Sequence, residues 1–134
     1  MMIVQMDARW DGQAHDVLMS ALSGPNLHVK VAIAVDEDVD IYNAEDVLWA
    51  IATRCDPATE AQIYPGSRLH PLDISIPEVG DEYTVMRIGG KLAIDATKPP
   101  SWRVKERERF RRVDPQGAHD PAIQKLLELV RQPR

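Results

Sequence analysis

The stretch Val29 to Val35, VKVAIAV, is apolar at every position except Lys30. It is rich in β-branched residues, too short for a helix, and lacks the polar/apolar alternation of a strand with one wet face. It reads as a strand buried on both faces, the situation of strands in parallel sheets covered on each side. A chain containing such a strand must supply two covering layers, and that requirement orders the rest of the sequence.

Both covers can be found. Ile3 to Met6 reads as a short strand, and Asp11 as the N-cap of a helix whose Ala14, Val17, Leu18, Ala21 and Leu22 share one face. Ser23-Gly24-Pro25-Asn26 stops that helix. After the buried strand, Asn43 can cap a second helix, with Asp46 at its third position in a variant of the capping box. Val47, Leu48, Ala50 and Ile51 give it an apolar side with Trp49 beside them in the core. Arg54 lies in its last turn, where a cation complements the helix dipole, and Asp56-Pro57 ends it. Ala61 to Tyr64 reads as a strand, and residues 65–82, with Pro65, Gly66, Pro71, Pro77 and Gly80, as a long loop of the kind that often carries function. Tyr83 to Ile88 and Lys91 to Ala96 read as two strands, with Gly89-Gly90 between them as a hairpin or bulge. A last helix starts at Asp120-Pro121 and carries Ile123, Leu126, Leu127 and Val130 as its stripe.

This order implies an α/β fold: a single three-layer domain with a mostly parallel or mixed sheet, helices on both faces, and a C-terminal helix. The boundaries expected are a core over 1–98, a basic linker over 99–118 and the terminal helix over 119–134. At 134 residues the chain fits one domain. The sequence shows neither a signal peptide nor a membrane-length apolar run, and the single Cys55 suits a reducing compartment, so a cytoplasmic protein is expected. Cys55 follows Arg54, which favours a thiolate, but no cysteine-protease context surrounds it and it reads as an inert thiol. A net charge of −5 argues against general nucleic-acid affinity. Residues 98–112 are nevertheless strongly basic. They read as a solvated face or mobile tail, with a docking patch for an acidic surface as the alternative.

The strand ends in an acidic tip, Asp36, Glu37, Asp38 and Asp40. A calcium loop needs a glycine at the sharp turn and a late bidentate glutamate, but Ile41 and Tyr42 stand where glycine and a ligand are needed. The expected role is structural: the carboxylates solvate a tight exit and precede a helix N-terminus, where negative charge is favoured. His15, His28 and His119 read as surface residues. His70 lies in the long loop within SRLHPLD, where a structural histidine and a pocket-lining one both fit. No dinucleotide or Walker phosphate loop and no G-x-S-x-G elbow occurs, so an autonomous enzyme is not expected.

The stretch KVAIAVDEDVDIYNAEDVLWAIATRCDP (Lys30 to Pro57) closely resembles the C-terminal domain of the UbiD family of decarboxylases. The lysine-led strand, the D-E-D-V-D turn, Trp49-Ala50, Thr53-Arg54 and Asp56-Pro57 carry the likeness. HPLD (His70 to Asp73) resembles the family's Pro-Leu-containing loop, and GGKLAIDATKP (Gly89 to Pro99) its closing strand. The resemblance covers residues 2–99 and implies non-oxidative decarboxylation, or carboxylation, of aromatic or α,β-unsaturated acids with prenylated FMN. It further implies that another domain holds the cofactor, supplies the catalytic residues and ligates the phosphate-bound metal. That domain is absent from this chain, so no catalytic residue and no metal ligand is expected here. What carries over is His70 and Leu72 at the edge of the substrate pocket and Lys30 toward the cofactor phosphate, against a plain ion pair of Lys30 with a nearby carboxylate.

The expectation is therefore an accessory small subunit that closes the active site of a large UbiD-like catalytic subunit and mediates assembly, as part of a soluble oligomer and inactive alone. The alternative is a non-catalytic oligomerisation or regulatory module built on the same domain. A metalloenzyme using the acidic turn is a third reading.

Overall fold

The computed structural model describes residues 1–23, 28–80 and 86–112, together with Pro121 and Lys125. The elements run β1 (Met2–Gln5), α1 (Gln13–Ser23), β2 (Val31–Val35), α2 (Ala44–Arg54), β3 (Ala61–Leu69), β4 (Glu78–Val79), β5 (Met86–Ala96) and α3 (Val104–Arg107), followed by a 3-10 turn over Glu108–Phe110. The sheet is mixed, in the order β1-β2-β5-β3, with β4 paired to β5 off that path. β1 and β5 flank β2 in parallel, in register Ile3 to Ile33 and Ile33 to Ile94. β3 and β4 run antiparallel to β5.

The buried run behaves as its composition requires. Ala32 and Ala34 meet Ala14, Leu18 and Leu22 of α1 on one face, whereas Ile33 and Val35 meet Val47 and Ala50 of α2 on the other. Alternate residues of one strand thus feed two separate cores, and the domain has three layers. Asn43 caps α2 by accepting from Glu45 N–H at 3.0 Å. Leu48, expected on the apolar side of α2, is 64% exposed. Asp11 is not the cap of α1. It lies in the turn before the helix and pairs with Arg103.

Two expectations about the strands change. β3 continues past Tyr64 to Leu69, so the loop that follows begins at His70. Gly89 and Gly90 do not turn the chain: they lie inside the single strand β5. The irregularity is on the facing strand, where Pro65 and Gly66 shift the register between Tyr64 and Ser67, with Gly66 at φ +70°. Gly89 is small for another reason. A Cβ there would stand 2.8 Å from Ile76 Cδ1 and 3.1 Å from Leu69 Cδ1, so the loop packs directly on the strand.

The expected terminal helix lies outside the described residues apart from Pro121 and Lys125, which are helical. A short helical segment, α3 and its 3-10 turn, does follow the sheet inside the basic stretch. No helix among the described residues is long and apolar enough to cross a membrane.

Candidate functional site

Polar groups concentrate at the two ends of the parallel strands. At the C-terminal end lies the acidic turn, and it is a clamp. Asp36 is 1% exposed. It accepts from Arg54 Nη1 at 3.1 Å, Lys98 N–H at 2.5 Å and Arg107 Nη2 at 3.1 Å. Arg54 also grips Asp38 in a two-pronged pair at 3.0 and 2.7 Å, and Lys98 Nζ reaches the same carboxylate at 3.0 Å. Burial opposes ionisation of Asp38, but the hydrogen bonds from Arg54 and Lys98 outweigh it and hold its pKa down at about 2. At Asp36 burial wins and pushes the carboxyl up, against Lys98, Arg107 and Arg54. Solvation of the turn was therefore the wrong expectation for Asp36, which is buried and paired with two guanidiniums, Arg54 and Arg107, besides the Lys98 amide.

The basic stretch is correspondingly fastened to its own chain. Arg107 bridges Asp36 and Asp7, and Arg112 pairs with Asp46 at 2.6 Å. Asp46 uses its other oxygen to accept from Asp40 N–H at 2.7 Å, so its carboxylate ties the turn and does not close a capping box on Asn43. Its pKa is lowered, chiefly by Arg112 and then by the Asp40 amide. Trp49 is partly buried, and the guanidiniums of Arg54 and Arg112 lie 4.9 and 4.6 Å from its ring centroid. Burial pushes the Cys55 thiol up, with Glu60, Asp95 and Asp56 adding to it, so Arg54 does not make it a thiolate. Among the described residues no group of three or more His, Cys, Asp or Glu is placed to share a metal ion. A cleft of about 230 Å³ beside the clamp is lined by Trp10, Glu60, Asp95, Lys98 and Arg103 among others, a mixture of charges with no single sign.

At the opposite end, three residues singled out in the sequence come together. Lys30 enters β2 there, and the loop bearing His70 and Leu72 leaves β3 there. Lys30 Nζ pairs with Asp73 at 3.0 Å and donates to Ser75 Oγ at 2.5 Å, so the strand's lysine holds the loop that follows His70. The Ser75 hydroxyl and then Lys30 keep the Asp73 carboxyl down at about 2. The His70 ring lies 4.3 Å from that of His28, tilted by 30°. Its Nδ1 accepts from Leu72 N–H at 3.1 Å. That bond fixes the turn presenting Leu72, which is 80% exposed, and Ile74 follows at 91%.

Sequence reasoning missed Asp73, Ser75 and Arg87 at this end. The Asp-x-Ser spacing was available as a sign of a local side-chain turn, which Asp73 makes by accepting from Ser75 N–H and Oγ–H. Arg87 gave no such sign, because two of its acceptors are backbone carbonyls. As for a cofactor, Lys30 retains a side chain 38% exposed beside two existing partners. This fits one contact to a phosphate and no more, so the remaining contacts would have to come from another domain.

The fold and these motifs define a C-terminal α/β domain of the decarboxylase type. The chain belongs to the family of the 3-octaprenyl-4-hydroxybenzoate carboxy-lyase C-terminal domain, which it matches over residues 1–96. It is 35% identical over 108 residues to an uncharacterized protein of Archaeoglobus fulgidus, covering 80% of this chain and 21% of that protein. Among solved structures it resembles apo 3,4-dihydroxybenzoic acid decarboxylase (AroY) of Klebsiella pneumoniae, with 33% identity and a TM-score of 0.66 over 86% of this chain and 25% of that one. The closed form of vanillic acid decarboxylase from Sedimentibacter hydroxybenzoicus is 32% identical at a TM-score of 0.65, over 97% and 26%. The UbiD-class enzyme HmfF of Pelotomaculum thermopropionicum, in complex with FMN, is 26% identical at 0.67, over 94% and 25%. This chain thus spans about a fifth to a quarter of the length of the proteins it matches.

Proposed function

We propose that this chain is the small subunit of a prenylated-FMN-dependent decarboxylase or carboxylase of aromatic or unsaturated acids, working in the cytoplasm with a large cofactor-bearing subunit. The observation that carries the reading is the gathering of Lys30, His70 and Leu72 at one end of the sheet, where Lys30 is tied to the loop through Asp73 and Ser75. His70 and Leu72 form one edge of the acid-binding pocket, and Lys30 contributes one contact to the cofactor phosphate. Leu72 and Ile74 stand in water in this chain alone, an arrangement that favours burial against a second surface. Prenylated FMN supplies the electron sink for loss of CO2, and the chain's own part is to shape and dry the pocket.

The test is co-expression with candidate large subunits and assay of CO2 release from vanillic and 3,4-dihydroxybenzoic acids, chosen because relatives act on them. Activity that requires both chains, and falls when His70 or Leu72 is replaced by alanine, is expected. Equal turnover with and without this chain, or robust turnover by this chain alone, would sink the reading.

A further inference from the structure

Among the described residues, Arg87 is the one charged side chain that bonds to both flanks of the His70 loop. It sits on β5, 8% exposed, opposite Leu69 of β3 and Glu78 of β4. Its Nε donates to the Pro71 carbonyl, Nη1 to the Ile76 carbonyl and Nη2 to Glu78 Oε1 at 2.6 Å. The planar guanidinium therefore staples Pro71, next to His70, to Ile76 and Glu78 on the far side. Only a fork of fixed geometry can satisfy three acceptors in different directions. Beneath the staple, Gly89 lets Ile76 rest on the strand. Between its arms lie the bond from Leu72 N–H to His70 Nδ1 and the turn built on Asp73.

We propose that Arg87 is a positioning residue for the pocket edge: it sets the backbone on which His70 and Leu72 face the substrate, without touching the substrate itself. This rests on the reading of the loop given under the proposed function. Arg87 acts through His70. While Pro71 is held, Nδ1 of His70 meets the Leu72 amide, and the imidazole must carry its proton on Nε2. Release of Pro71 frees the ring to exchange tautomers and frees Leu72 to swing.

The experiment uses the full chain and needs no partner. The 15N shifts of the His70 ring report its tautomer, and amide exchange reports Leu72, Asp73, Ser75 and Ile76. In the wild type the neutral His70 ring is expected to show the Nε2–H signature, because Nδ1 accepts from Leu72 N–H. Arg87→Lys keeps the charge and stem but loses the fork. It is expected to average the tautomers and speed exchange at those amides about tenfold or more, with Ala32 to Val35 unchanged. Arg87→Met is expected to do the same more strongly. Should either variant fail to fold, Gly89→Ala, which pushes on Ile76 with Arg87 intact, should shift the same four amides. Glu78→Gln, which leaves both carbonyl contacts, should keep the tautomer. An unchanged His70 signature in folded Arg87→Lys overturns the proposal. The functional reading fails separately if the signature responds to Arg87→Lys and yet the wild-type chain adds nothing to any cofactor-bearing subunit.

Discussion

Replacing Arg54 by methionine should be among the most damaging single changes in this domain. The Arg54 side chain is 1% exposed and makes charge-assisted bonds to Asp36 and Asp38. Methionine approximates the stem, so the packing loss is small and the electrostatic loss dominates. Deleting one partner of a buried pair strands the other's charge, at a cost of about 3–5 kcal/mol. Asp36 keeps Lys98 N–H and Arg107, and Asp38 keeps Lys98 Nζ, so the lower figure, about 3 kcal/mol, applies here. For a chain of this size that lowers Tm by about 9–15 °C, out of a total stability of about 5–15 kcal/mol.

The assay is urea denaturation followed by far-UV circular dichroism. Tryptophan emission would mislead, because the Arg54 guanidinium lies 4.9 Å from the Trp49 ring. If a stranded carboxylate is the cause, Asp36→Asn placed on Arg54→Met should recover about 1 kcal/mol or more by removing the buried charge. The deficit of Arg54→Met should also shrink on mild acidification, because the pKa of Asp36 is already raised and the lost cation raises it further. A loss below about 1 kcal/mol for Arg54→Met would refute the clamp as the organiser of this end, as would strict additivity of the two substitutions.

Further outcomes follow from the same contacts. Asp38 has a folded pKa lowered from 3.8 to about 2, so its stabilisation is complete above about pH 4 and lost as pH falls through 2. With its side chain 34% exposed this is worth about 1 kcal/mol after screening, and Asp38→Asn should flatten that limb of the stability–pH curve. Asn43→Ala removes the acceptor for Glu45 N–H and should cost about 1 kcal/mol by chemical denaturation. Leu18→Ala, at a site 2% exposed in the α1 core, should cost about 2–5 kcal/mol, read the same way.

Much of the architecture was legible because it depends on local pattern. Alternate faces of one short apolar strand demanded two covers, and α1 and α2 provide them. Asn43 was readable because a cap is a contact across two residues. The Gly89-Gly90 hairpin signal is also local, whereas the pairing of β3 with β5 from Arg87 to Ile94, which carries both glycines inside one strand, is not. The clamp was misjudged for a similar reason. Asp36 meets Lys98 and Arg107 across 62 and 71 residues, and no spacing rule links a basic stretch to an acidic turn so distant in sequence. At the candidate site the family likeness marked Lys30, His70 and Leu72, and the structure gathers them at one end. It could not mark Arg87, since backbone carbonyls exist at every residue and leave no trace in the choice of side chains.

The placement of the candidate site runs against the usual habit of α/β sheets, in which ligands bind beyond the carboxyl ends of the strands. Here the acidic turn at that end is taken up by the chain's own basic stretch, with Lys98, Arg107 and Arg112 neutralising Asp38, Asp36 and Asp46. The antiparallel β3 makes the other end available. Because it runs back along β5, the chain emerges beside the start of β2, next to Lys30, and the loop there is held from both sides by Lys30 and Arg87. One end thus fastens the basic stretch up to Arg112, and the other presents apolar side chains to water on a loop held by Lys30 and Arg87. Apolar side chains held in water on a loop of this kind favour burial against a second surface, which is what the proposed subunit role requires.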